Sequence, residues 1–139
     1  MPLVVPDSGE LRLLDTLLKL ALSQDENQIL KLYQNNVTPT QDSVPASFTE
    51  ANFTGYAART LLRSGWNNAV TVSNKAESSF GSTPQSWTCG TTGNTINGYW
   101  VEGSTSGKCL WAERFSTSRV LASGDVLNIT PKFTLSSET

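Results

Sequence analysis

Thr95-Ile-Asn-Gly-Tyr-Trp-Val-Glu-Gly-Ser-Thr-Ser-Gly-Lys-Cys-Leu-Trp-Ala-Glu-Arg-Phe115 decides the fold class. Two runs rich in aromatic and β-branched residues, Thr95–Glu102 and Lys108–Phe115, flank a glycine-bounded turn, Gly103 to Gly107. Such side chains suit a pleated, half-buried surface, and a short glycine-containing connection between two such runs specifies a β-hairpin. The same grammar repeats outward in both directions. Further strands are expected at Ile29–Gln34, Phe53–Thr60, Ala69–Ser73, Ala76–Phe80, Gln85–Cys89, Ser118–Leu121 and Val126–Leu135. Turn residues punctuate them at Asn35-Asn36, Asn67-Asn68, Gly90 to Asn94 and Ser123-Gly124-Asp125.

Residues 35 to 52 form a polar excursion with Pro39 and Pro45, far longer than the usual connection of about four to six residues. Long crossovers belong to Greek-key and jelly-roll sandwiches rather than to meanders. The expected fold is therefore all-β: a jelly-roll or Greek-key β-sandwich of about eight strands over residues 24–139, preceded by one α-helix.

That helix is read from the segment before it. Asp7 and Glu10 have capping-box spacing and open a leucine-rich run from Gly9 to Leu22, giving an N-terminal helix within residues 8–23. On a helical projection Arg12, Asp15, Thr16 and Lys19 form a narrow polar strip, and leucines that include Leu11, Leu14 and Leu18 cover the rest. The apolar arc is wider than one sheet face needs. Two arrangements satisfy it: burial between sheet and loops of the same chain, or coverage by a second subunit on one side. Residues 1–7, Met-Pro-Leu-Val-Val-Pro-Asp, read as an extended arm because Pro2 and Pro6 disfavour helix. Its apolar Leu3, Val4 and Val5 must pack on this domain or on a neighbour.

With 139 residues the chain suits a single domain. Ten Lys and Arg against twelve Asp and Glu give a net charge of −2, which argues against binding nucleic acid or anionic lipid. Charged residues are only 16% of the chain, so the exterior is expected to be neutral and rich in Ser, Thr and Asn. No stretch has the length and apolarity of a membrane span, and no signal peptide is recognised, so the expectation is a soluble protein made in a cytoplasm.

The chain has no histidine, which removes histidine-based triads and histidine-ligated metal sites. Cys89 and Cys109 lack the spacing of a zinc or redox motif and read as buried thiols. Asp25-Glu26-Asn27 supplies too few oxygens for calcium and reads as a solvated turn. Among the carboxylates that strands could pair for glycoside hydrolysis, Glu77, Glu102 and Glu113, none is singled out, and Glu102 and Glu113 read as solvent-facing. Neither a catalytic residue, a metal ligand nor a cofactor site is expected. Strand alternation places Trp87 with Cys89, and Cys109 with Trp111, on inward faces, whereas Trp66, between Gly65 and Asn67-Asn68, is a candidate contact residue in a loop.

Several stretches together resemble small virion proteins of tailed bacteriophages. They are the leucine helix, Leu30-Lys-Leu-Tyr33, Phe48-Thr-Glu-Ala-Asn-Phe-Thr-Gly-Tyr-Ala-Ala-Arg-Thr60, Gly98-Tyr-Trp-Val101, Leu110-Trp-Ala-Glu-Arg-Phe115 and Val120-Leu-Ala-Ser-Gly-Asp-Val-Leu-Asn-Ile-Thr-Pro-Lys-Phe133. The resemblance covers most of the chain from about residue 10 and extends to jelly-roll proteins described as decoration, cement or tail-fibre proteins. It implies a non-enzymatic structural role. The leading expectation is a capsid cement protein on the capsid exterior of the virion, self-associating as a homotrimer and binding the major capsid protein. The alternative is a tail, neck or fibre component that touches a host glycan through its loop aromatics. The candidate interface residues are Leu3, Val4, Val5, Leu11, Leu14, Leu18 and Trp66.

Overall fold

The computed structural model describes residues 3–9, 13 and 26–135. Within them nine strands run in antiparallel pairs: β1 (Gln28–Tyr33), β2 (Arg59–Leu61), β3 (Val70–Val72), β4 (Lys75–Ser79), β5 (Gln85–Thr88), β6 (Asn94–Gly103), β7 (Cys109–Leu121), β8 (Val126–Ile129) and β9 (Lys132–Leu135). They form a four-stranded sheet ordered β2-β1-β6-β7, a three-stranded sheet β3-β4-β9 and a two-stranded sheet β5-β8. Among the described residues the protein is an all-β sandwich with very little helix. Asp7, Ser8, Gly9 and Leu13 are helical; the rest of the expected Gly9–Leu22 helix, with Leu11, Leu14 and Leu18, lies outside the described residues.

The sheets meet because strand alternation sends large side chains inward. Leu30 and Leu32 of β1, opposite Val101 and Tyr99 of β6, share one face of the four-stranded sheet. They form a main core with Trp87, Leu127 and Ile129 from the two-stranded sheet, with Phe133 of β9 packed against it. The opposite face carries Tyr33, Trp100 and Ala112, covered by Phe48 from the long excursion. The Phe48 ring stacks on Trp100 at 5.2 Å and tilts against Tyr33 at 4.9 Å. The expected loop is thus a lid, tied down at backbone level. Asn35 donates to the Ser47 carbonyl and accepts from the Thr49 amide, while Gln34 donates to the Glu50 carbonyl.

Four expectations about the strands are corrected. Phe53–Thr60 is a strand only from Arg59: Gly55, at φ +94°, turns the chain, and Phe53 and Tyr56 pack against the main core from that turn. Lys108–Phe115 and Ser118–Leu121 belong to one strand, whose pairing with β6 is irregular where Phe115–Ser118 pass Asn97. Val126–Leu135 divides at Pro131, and its halves join different sheets. Finally, Cys109 and Trp111 do not share a face. The pairing slips at Leu110, so that Val101 opposes Trp111 while Glu102 opposes Cys109. Leu110 and Trp111 both enter the main core and Cys109 turns to the opposite one. Trp87 and Cys89 do face the same core.

Candidate interaction surface

The N-terminal arm lies along the outer edge of β7. Val4 and Ala112 exchange both backbone hydrogen bonds, at 3.0 and 2.9 Å, in an antiparallel bridge. That pairing turns the flanking Leu3 and Val5 toward the main core, against which both pack. Pro6 is fully buried, the Asp7 amide donates to the Gln41 carbonyl, and the Ser8 hydroxyl donates to the Cys109 carbonyl. Gly9 passes so close to β7 that a Cβ there would collide with the Leu110 carbonyl oxygen. Of the two partners open to the arm, the structure places it on its own domain, with Leu3, Val4 and Val5 half-buried.

Trp66 follows a short 3-10 turn, Arg63–Gly65, and is half-buried. Its indole N–H donates to Gln28 Oε1 at 2.8 Å, and its ring meets Phe80 and Trp111 edge-on at 5.5 and 5.9 Å. A cavity of about 330 Å³ opens beside it, lined by Gln28, Arg63, Trp66, Ser78, Trp111 and Phe133. Trp66 is therefore a wall of an aromatic cleft rather than a free-standing loop contact. Trp87, Trp100 and Trp111 are buried. A second groove, of about 790 Å³, runs between β7 and β8, consecutive strands that join different sheets.

Several charged residues are engaged in structure. Lys31 reaches Glu102 at 3.0 Å and Glu50 at 3.6 Å and lies over the Trp100 ring. Burial works against the ammonium, but the hydrogen bonds and charges of Glu102 and Glu50 outweigh it and raise its pKa above the ordinary lysine value. The Trp100 indole donates to Glu102, and the Tyr56 hydroxyl donates to Glu50. Burial, helped by these carboxylates, raises the Tyr56 pKa, and burial beside Glu113 does the same for Tyr99.

The solvent-facing reading of Glu102 and Glu113 is thereby corrected. Half-buried Glu102 pairs with Lys31, and half-buried Glu113 accepts the Tyr99 hydroxyl at 2.8 Å. Glu77 pairs with Lys132 at 3.3 Å. The three carboxylates that might have been paired thus belong to separate interactions on β4, β6 and β7. The reading of Asp25-Glu26-Asn27 as a solvated turn is corrected at Glu26. That side chain is 7% exposed and accepts the amides of Thr105 and Ser106 and the Ser106 hydroxyl, closing the β6–β7 turn. No composition signal announces this clamp, because its donors are 79 and 80 residues away.

No family model matches the chain, and no curated protein matches it.

Proposed function

We propose that this chain is a non-enzymatic structural protein of a tailed-phage virion, a cement protein that binds the outer surface of the major capsid protein lattice. Its sandwich is read as a jelly-roll, and self-association as a homotrimer belongs to the same reading. The observation that carries the proposal is the arm: an apolar, proline-bounded strap that adds itself to a strand edge by backbone hydrogen bonds. The same chemistry fastens one subunit to another, since strand addition supplies affinity through main-chain bonds and specificity through alternate side chains. A low-charge exterior supports it too. Ser116, Thr117 and Ser118 of β7 are exposed, which suits a surface that must not make crowded particles adhere.

Co-sedimentation with empty, tail-free heads tests the proposal. Saturable binding at hundreds of copies per head is the expected result, and no binding by the folded protein overturns it. The alternative, a tail or fibre component, draws on the Trp66 cleft, whose aromatic walls suit the apolar face of a sugar. A saturable change in tryptophan fluorescence on glycan titration, without head binding, would favour that reading.

A further inference from the structure

The β3–β4 hairpin carries an unprotected strand edge. Every residue from Asn67 to Ala76 is exposed, yet β3 reads Val70-Thr-Val72, with Val70 57% and Val72 43% exposed. β3 ends its sheet, whose order is β3-β4-β9, so its outer edge has no strand partner among the described residues. The other outer edges of the two larger sheets are defended. β2 carries Arg59, whose guanidinium also reaches across to the Ser86 carbonyl of β5; β9 carries Lys132; β7 carries Arg119 and is bridged by the arm. Natural sheets blunt their edges with charges, prolines or covering segments to prevent unwanted pairing. From Asn67 to Asn74 this chain has neither a charge nor a proline.

The hairpin geometry says which atoms are on offer. Ser73 and Asn74 both have positive φ, +49° and +64°, and form the two-residue turn that joins Val72 to Lys75. The residues flanking such a turn hydrogen-bond to each other, so by alternation the backbone N–H and C=O of Thr71 point outward, away from β4.

We propose that this edge docks a second copy of the same chain, antiparallel, about a twofold axis at Thr71. The sequence is self-complementary in that register. Thr71 faces its own counterpart and exchanges two backbone hydrogen bonds with it, and each Val70 faces a Val72. β-branched and Thr–Thr cross-strand pairs are favourable, and no like charges meet, because Asn, Ala, Ser and Thr flank the valines. The product is a continuous sheet in the order β9-β4-β3-β3-β4-β9. A three-residue edge buries far less than the roughly 1,000 Å² of a stable interface, so the contact is weak between free molecules. It gains strength wherever copies are held at high local concentration. The inference does not depend on the virion reading, and its test needs no capsid.

The test is covalent trapping. Directly paired residues lie about 5.5 Å apart between Cα atoms, within the range of about 4.4–6.8 Å that a disulfide spans. Thr71→Cys should therefore form a disulfide-linked dimer under mild oxidation about tenfold faster than Ser123→Cys, an equally exposed turn control. The native thiols, both buried, do not compete. Adding Val70→Lys and Val72→Lys sets lysines opposite each other and should return the Thr71→Cys rate to that of the control. All four positions are exposed, so circular dichroism should show each variant folded. Cross-linking of Thr71→Cys no faster than Ser123→Cys, or cross-linking indifferent to the two lysines, overturns the proposal.

Discussion

Replacing Glu26 by Ala should destabilise the protein by unfastening the β6–β7 turn. In the folded chain the carboxylate accepts two amides, Thr105 at 2.9 Å and Ser106 at 2.7 Å, and the Ser106 hydroxyl at 2.8 Å. A hydrogen bond to a charged group contributes about 1.5–3 kcal/mol, but the donors sit in a partly exposed turn where water replaces part of the loss. The net cost is about 2–3 kcal/mol, well below the sum of three separate bonds. For a domain of this size that lowers Tm by about 6–12 °C. Glu26→Gln keeps one acceptor oxygen but turns an amide toward the remaining donors, and should cost about half as much. Thermal unfolding followed by circular dichroism gives the ordering. Amide hydrogen exchange locates it, with protection lost first at Thr105 and Ser106. A Tm change below about 2 °C for Glu26→Ala, or unchanged protection of those two amides, would refute the clamp.

Four further outcomes follow from the same contacts. A Cβ at Gly103 would collide with the Glu26 carboxylate, so Gly103→Ala should destabilise the native chain and cost much less in the Glu26→Ala background, as a double-mutant cycle of Tm values would reveal. Trp66→Ala removes the Gln28 hydrogen bond and two edge-on ring contacts, and should cost about 2–3 kcal/mol in denaturant unfolding, less than the loss of a fully buried tryptophan. Val4→Pro deletes the amide that donates to Ala112 and should lower Tm by about 3–5 °C, while a proline at exposed Ser123 should have less effect. Burial pushes the Cys109 thiol from its ordinary 9.0 up to about 12. The unfolded chain therefore loses that proton first, and stability present below pH 9 is lost between about pH 9 and 12, at up to about 1.4 kcal/mol per pH unit. Cys109→Ala should flatten that part of the alkaline unfolding curve, and an unchanged slope would refute the assignment.

The architecture was legible where local chemistry and tertiary need agree. The Gly103–Gly107 hairpin, the alternating Leu30 and Leu32, and the Trp87–Cys89 pair all behave as their side-chain periodicity requires. The strand from Phe53 failed because its apolar residues are buried from a turn. Hydrophobicity alone does not distinguish a side chain lying inward from a strand from one folded inward by Gly55. The Cys109–Trp111 error has a different cause. A single slip at Leu110 reverses the face of whatever lies beyond it, and no residue type at that position declares a bulge.

The interaction surface was legible to a different degree. The arm showed in its prolines and apolar triplet, but its partner did not, because Val4 meets Ala112 through backbone atoms that every residue possesses. For the same reason the two reciprocal contacts that matter most here leave little trace in composition: the arm on β7, and the proposed meeting of two β3 edges. What the sequence does record is what each edge lacks or carries beside its backbone. β7 has Arg119 and a covering strap, and β3 has two valines with no charge near them. Within the two larger sheets β3 is the outer edge left uncharged and exposed, and that difference in side chains is why strand pairing between molecules is proposed there.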